Sequence, residues 1–226
     1  AIVAPEEGLE NLTRALDLIG SQSPLAKSRI EALKKSGSVF ITYDPRHPDT
    51  KANLATLQVA AFLPFYFEKD TEREGKNFLV VVGRHGIKWP PRELAGVLVH
   101  ELVGHGIQHL EGRKQAMRLA DIACEAWLYE EMAHQDFGID KFSKEMIEFR
   151  RQLEDQCSTF LGHLRKNDPQ GLRLWEVLDP DVPKLLDRFR AYLEGLRHRG
   201  VMNDALAFAE KTREAAYESI RRDGSA

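Results

Sequence analysis

Strand-type and helix-type hydrophobic patterns occupy separate parts of this chain, and that separation limits the folds open to it. Val39-Phe40-Ile41-Thr42-Tyr43, Leu57–Phe67 (interrupted by Pro64) and Phe78–Val82 are the β-branched and aromatic runs, which predicts three strands in one small sheet. Before them, Leu9–Ile19 and Leu25–Lys35 carry apolar residues at three- and four-residue spacings and are punctuated by Pro24 and Gly37. That pattern predicts a helical hairpin. From Pro90-Pro91 onward the apolar period is helical, with further helices expected near 114–136, 143–166, 172–178, 181–197 and 203–222. The fold class is therefore α+β: a three-stranded sheet in the N-terminal half and a helical majority in the C-terminal half. No linker or repeat divides the chain. One domain over 1–226 is expected, made of a hairpin (1–37), a strand region (38–90) and a helical part (91–226).

Composition narrows function. With 32 Lys+Arg against 35 Asp+Glu the net charge is −3, so no global positive field exists to hold nucleic acid. The most apolar stretch, Ala60–Phe67, is far short of the ~18 residues a membrane span needs. Cys124 and Cys157 are too few and too far apart for a disulfide-dense scaffold or a thiolate zinc finger, and Cys124 reads as a buried thiol. Ala1-Ile-Val-Ala-Pro5 reads either as the end left by an export signal or as an imposed boundary, and the expectation leans toward export.

The chemistry concentrates in Val97–His109, which holds three of the eight histidines. Two imidazoles on one helix with a carboxylate between them suit a zinc site with one position left for water, and Glu101 beside the first histidine would be the general base. The spacing His100-Glu101-Leu102-Val103-Gly104-His105 is HExxxH, not HExxH. Residues five apart on an α-helix lie about 140° from one another around the axis, so convergence on one ion predicts a π-bulge near Leu102–Gly104. His105 and His109, four apart, form a rival pair without a neighbouring acid.

His100–His105 resembles the HELLGH motif of the dipeptidyl peptidase III family and, more widely, the zincin metallopeptidases of the gluzincin type. The resemblance covers this helix and its successor. It implies a zincin-like active-site helix, Zn2+ as cofactor, His100 and His105 as ligands, Glu101 as base and a glutamate on the next helix as third ligand. Glu125, 20 residues after His105, is the residue taken for that ligand. Asp121 and Tyr129, each four residues from Glu125, share its helix face. Asp121 is a candidate to orient a ligating histidine, and Tyr129 a candidate to stabilise the oxyanion. By analogy with zincins, Phe78–Gly83 would lie along the cleft and pair with an extended peptide, with Arg84 and His85 near its mouth.

The expected function is a zinc metallopeptidase acting on a peptide or protein substrate. The alternatives are a metal-dependent hydrolase of a non-peptide amide or ester, and a non-catalytic helical interaction protein. Arg150-Arg151, Arg197-His198-Arg199 and Arg221-Arg222 read as solvated helix faces, and His47, His85, His134 and His163 as isolated surface or core residues.

Overall fold

The computed structural model describes residues 2–47, 59–64, 66, 76–114 and 116–199. The chain begins with α1 (Pro5–Gln22) and α2 (Pro24–Ser36), each with proline in its first turn, where no N–H partner is lost. They bury Leu12, Ala15 and Ile19 on the first helix and Ala26, Ile30 and Leu33 on the second. The expected hairpin is present.

The sheet contains β1 (Gly37–Asp44), β2 (Ala60–Phe62) and β3 (Lys76–Gly83) in the order β1-β3-β2. β1 runs parallel to β3 from Gly37↔Lys76 to Asp44↔Gly83, and β2 runs antiparallel to β3. The expected second strand, 57–67, is cut to three residues among those described. β3 is paired on both edges and covered on both faces, which is why Phe78–Gly83 is a continuous buried run with no alternation. This corrects the expectation that β3 offers an unpaired edge to substrate; among the described residues the edge strand on that side is β2.

Pro91 starts α3 (Pro91–Val99), which passes without a break into a π-helical segment (His100–Gly106) and then α4 (Ile107–Leu110). Gly112, at φ +67°, ends this rod, and its N–H reaches the His109 carbonyl. The rod packs against α1, α2, β2 and β3, and on its other side against α5 (Leu119–Asp136). Contact with α5 is close at Gly104, where a Cβ would lie 2.6 Å from that of Ala126. Glycine at 104 is thus required by the approach of a second backbone.

The remaining helices are α6 (Lys144–Gln156), α7 (Ser158–Asn167), α8 (Pro169–Trp175) and α9 (Val182–His198). The single helix expected over 143–166 is two, divided at Cys157. Cys157 forms a disulfide with Cys124 of α5, so the reading of Cys124 as a buried thiol is corrected. The pairing ties α5 to the turn between α6 and α7. The helix expected at 203–222, and Arg221-Arg222 on it, lie outside the described residues. Among those described, no helix is long and apolar enough to cross a membrane.

Candidate active site

Bonding from i to i+5 puts residues five apart on one face, and the π-helical register does this for His100 and His105. Their ring centroids are 5.1 Å apart with planes at 78°. Two imidazoles each held about 2.0–2.1 Å from one tetrahedral ion have centroids about 5 Å apart, so the pair matches a shared ion.

Each ring is fixed through Nδ1. The Nδ1 of His100 is 2.8 Å from Glu130 Oε2 of α5, and Trp127 packs edge-on at 5.8 Å. For His105, Nδ1 lies 3.1 Å from Gln108 Oε1. The Gln108 amide has one orientation, because its Nε2 donates to the Ile122 carbonyl and to Glu125 Oε2. Its Oε1 must then accept, which puts the proton of His105 on Nδ1 and leaves Nε2 with its lone pair. Burial, with the charges of His100 and Lys114, lowers the pKa of His105 to about 3, so this imidazole is neutral near pH 7. Burial also disfavours the charged form of His100, but the hydrogen bond and charge of Glu130, with the charge of Glu101, outweigh it and raise its pKa.

Glu101 is 8% exposed, and its Oε2 accepts the Phe62 N–H at 2.8 Å. Burial raises its pKa, opposed by His100, the Phe62 N–H and Lys114. Lys114 lies on the loop after α4, with Nζ 5.1 Å from the Phe62 ring centroid. Its pKa is lowered by burial and raised in part by Glu101. A buried carboxylate, an ammonium and two imidazoles are thereby gathered at the end of β2.

Of the residues expected in the site, His100, Glu101 and His105 are brought together. Glu125 is placed elsewhere: Oε1 and Oε2 receive Arg113 Nη2 at 3.0 Å and Nη1 at 2.7 Å, so both carboxylate oxygens are engaged by a guanidinium. Five positions on a helix turn a side chain about 140°, and it is Glu130 that reaches His100. Tyr129 is buried on the Glu125 side, where burial and Glu125 raise its pKa against the charges of Arg29, Arg113 and Arg190. Asp121 is held by Arg118 at 2.6 Å and by the Tyr192 hydroxyl at 3.0 Å, so it orients no histidine. His109 packs against Phe62 and Phe78, with centroids 5.7 and 6.0 Å away, while His105 pairs with His100; the rival pair does not form.

Residues missed in the sequence are Glu130, Gln108, Trp127, Lys114 and His134, whose Nε2 is 3.8 Å from Glu130 Oε1. Trp127, Glu130 and His134 fall at i, i+3 and i+7, a face that marks them as a set. Among the described residues, no group of three or more His, Cys, Asp or Glu side chains is placed to hold a metal ion together. Comparison with protein-family models, with curated proteins and with solved structures finds no match for this chain.

Proposed function

We propose that this chain is a zinc-dependent hydrolase of peptide bonds in which His100 and His105 hold the metal through Nε2 and Glu101 is the general base. The observation carrying this reading is the π-helical register, which brings the two histidines of HExxxH onto one helix face with ring centroids 5.1 Å apart. Such segments are frequent at functional sites. Zinc, when bound, supplies a Lewis acid and lowers the pKa of its water toward neutrality.

The chain's own residues do the rest. Glu101, raised in pKa by burial, takes the water's proton at a carboxylate oxygen and passes it to the leaving amine. Glu130 holds His100 through Nδ1, in the carboxylate–histidine arrangement that sets tautomer and ring orientation. Arg113, Glu125 and Gln108 do the same for His105 in series, which makes Glu125 a positioning residue in this reading. Lys114, in place of Tyr129, supplies positive charge beside the carbonyl oxygen as it becomes an oxyanion. Leu63 N–H and Val59 C=O bond toward β3, so the main-chain groups of Ala60 and Phe62 face the opposite way, toward the site. An extended substrate pairs there with the Ala60 main-chain groups and the Phe62 C=O, since the Phe62 N–H donates to Glu101 Oε2.

The competing reading is a non-catalytic helical protein, favoured by the absence of a three-residue metal cluster among the described residues. Elemental analysis together with hydrolysis of peptide and ester panels separates the readings. Wild type should carry one zinc, His100→Ala and His105→Ala should lose it, and Glu101→Gln should keep zinc while turnover falls ~10²–10⁴-fold. Ester hydrolysis without peptide hydrolysis would give the non-peptide alternative. Wild type that takes up no zinc would leave the non-catalytic reading.

A further inference from the structure

Glu130, the carboxylate that meets His100, closes a circuit of rings. Trp127 stands edge-on to His100 with centroids 5.8 Å apart, Phe149 of α6 lies 5.0 Å from Trp127, and His134 packs T-shaped on Phe149 at 4.5 Å. The two ends of that series meet on one carboxylate: His100 Nδ1 is 2.8 Å from Glu130 Oε2, and His134 Nε2 is 3.8 Å from Oε1. Among the described residues, no other side chain is paired with Oε1.

A glycine makes room for His134. A Cβ at Gly96 of α3 would lie 2.5 Å from His134 Nε2 and 2.7 Å from its Cδ2. Glycine inside a helix costs about 1 kcal/mol relative to alanine, and the cost falls where this ring edge comes against Glu130. The surroundings also fix the ring's proton. His134 is 6% exposed, and its Nδ1 is buried without a partner. A proton on Nδ1 would face no acceptor and turn the Nε2 lone pair toward a carboxylate, whereas a proton on Nε2 faces one. Burial lowers the pKa of His134 against the charge of Glu130, so the ring is neutral near pH 7.

We propose that His134 is a positioning residue of the zinc site, its Nε2–H held toward Glu130 Oε1 so that the carboxylate keeps one orientation toward His100. The inference rests on the zinc reading above. The last torsion of a glutamate is soft, so a carboxylate with a donor on one oxygen alone turns easily and lets the imidazole it holds turn with it. A donor on each oxygen stops that rotation. Closing the 3.8 Å separation to a hydrogen bond takes a shift of roughly 1 Å, and in buried surroundings the attraction acts before the bond is made. The other histidine has the same construction, since Gln108 is itself held by the Ile122 carbonyl and Glu125 before it meets His105.

The test measures zinc affinity of the full chain by competition with a chelator, and histidine tautomers of the zinc-free chain by long-range 1H–15N NMR. His134 of wild type should carry its proton on Nε2. His134→Phe keeps a ring against Phe149 but removes the donor, and should weaken zinc binding about tenfold, the low end for groups outside the ligand shell. His134→Gln, able to donate to Glu130 one helical turn back, should restore most of that loss. In a Glu130→Gln background, His134→Phe should cause no further loss, because the carboxylate through which it acts is gone. A histidine that serves packing alone would give the reverse: Phe tolerated, Gln damaging, and effects that add to that of Glu130→Gln. That pattern, or a His134 proton on Nδ1, would overturn the proposal and leave the zinc reading intact. Wild type that takes up no zinc would overturn both.

Discussion

Asp121, Glu125 and Glu131 of α5 are each met by an arginine (Arg118, Arg113 and Arg150), whereas Glu130 on the same helix is met by His100, with His134 behind it. All four carboxylates are buried. An arginine partner is always charged and neutralises its acid permanently, which suits a scaffold. A histidine partner donates through Nδ1 while its second nitrogen stays available, which suits a site. The identity of the partner therefore separates three arginine-paired carboxylates from one histidine-paired carboxylate on this helix, although the acids themselves look alike in the sequence.

The sharpest way to break that division is to remove partners. Arg118→Met strands Asp121, which is 1% exposed, and should cost about 3–5 kcal/mol in urea unfolding. Glu130→Gln keeps an acceptor for His100 and should stay within about 1 kcal/mol of wild type by the same measurement. Equal losses would mean that Glu130 is as structural as the rest. Next in size, Cys124 fastens this helix to the α6–α7 turn across a separation of 33 residues. Reducing that disulfide should remove about 3–4 kcal/mol, read as a fall in unfolding midpoint with dithiothreitol.

A smaller effect belongs to the site side. Glu130→Gln should weaken zinc binding ~10–100-fold in competition with a chelator, because a neutral amide orients the His100 ring less firmly than a carboxylate. The smallest effect concerns pH. Burial raises the pKa of Glu131 above 4.5 despite Arg150, so the folded state holds its proton more tightly than the unfolded chain. Its contribution to stability is present below the unfolded value and is lost as pH rises through the folded one. The melting temperature of Glu131→Gln, relative to wild type, should therefore climb as pH rises above the unfolded value of about 4.5. A flat or falling difference would show that the arginine, not burial, governs this acid.

The same helix shows what was legible in the sequence. A helix ending near residue 136 and the site helix before it follow from apolar period, and the irregularity expected from the five-residue histidine spacing is present as the π-helical segment. Helix phase relative to a neighbour does not: deciding between Glu125 and Glu130 needed the way α5 meets the rod, which comes closest at Gly104 and Ala126. The order of the sheet was hidden for a related reason. The run 57–67 announces a strand but not its neighbour, and it is the pairing of β2 that makes β3 central and, among the described residues, puts β2 at the edge beside Glu101. Arg150 read as a solvated residue because charge runs carry no record of a buried acid on another helix; Arg151, next to it, is indeed exposed and paired with Glu148.

The central claim, that the π-helical register exists to let His100 and His105 share a metal ion, is tested most directly by anomalous scattering at the zinc edge from crystals of the full chain grown with zinc. The account predicts one peak, about 2.0–2.1 Å from Nε2 of both histidines, with their Nδ1 atoms still on Glu130 and Gln108. No peak there, or a peak held by His109 or Glu125 with the two rings apart, would contradict it.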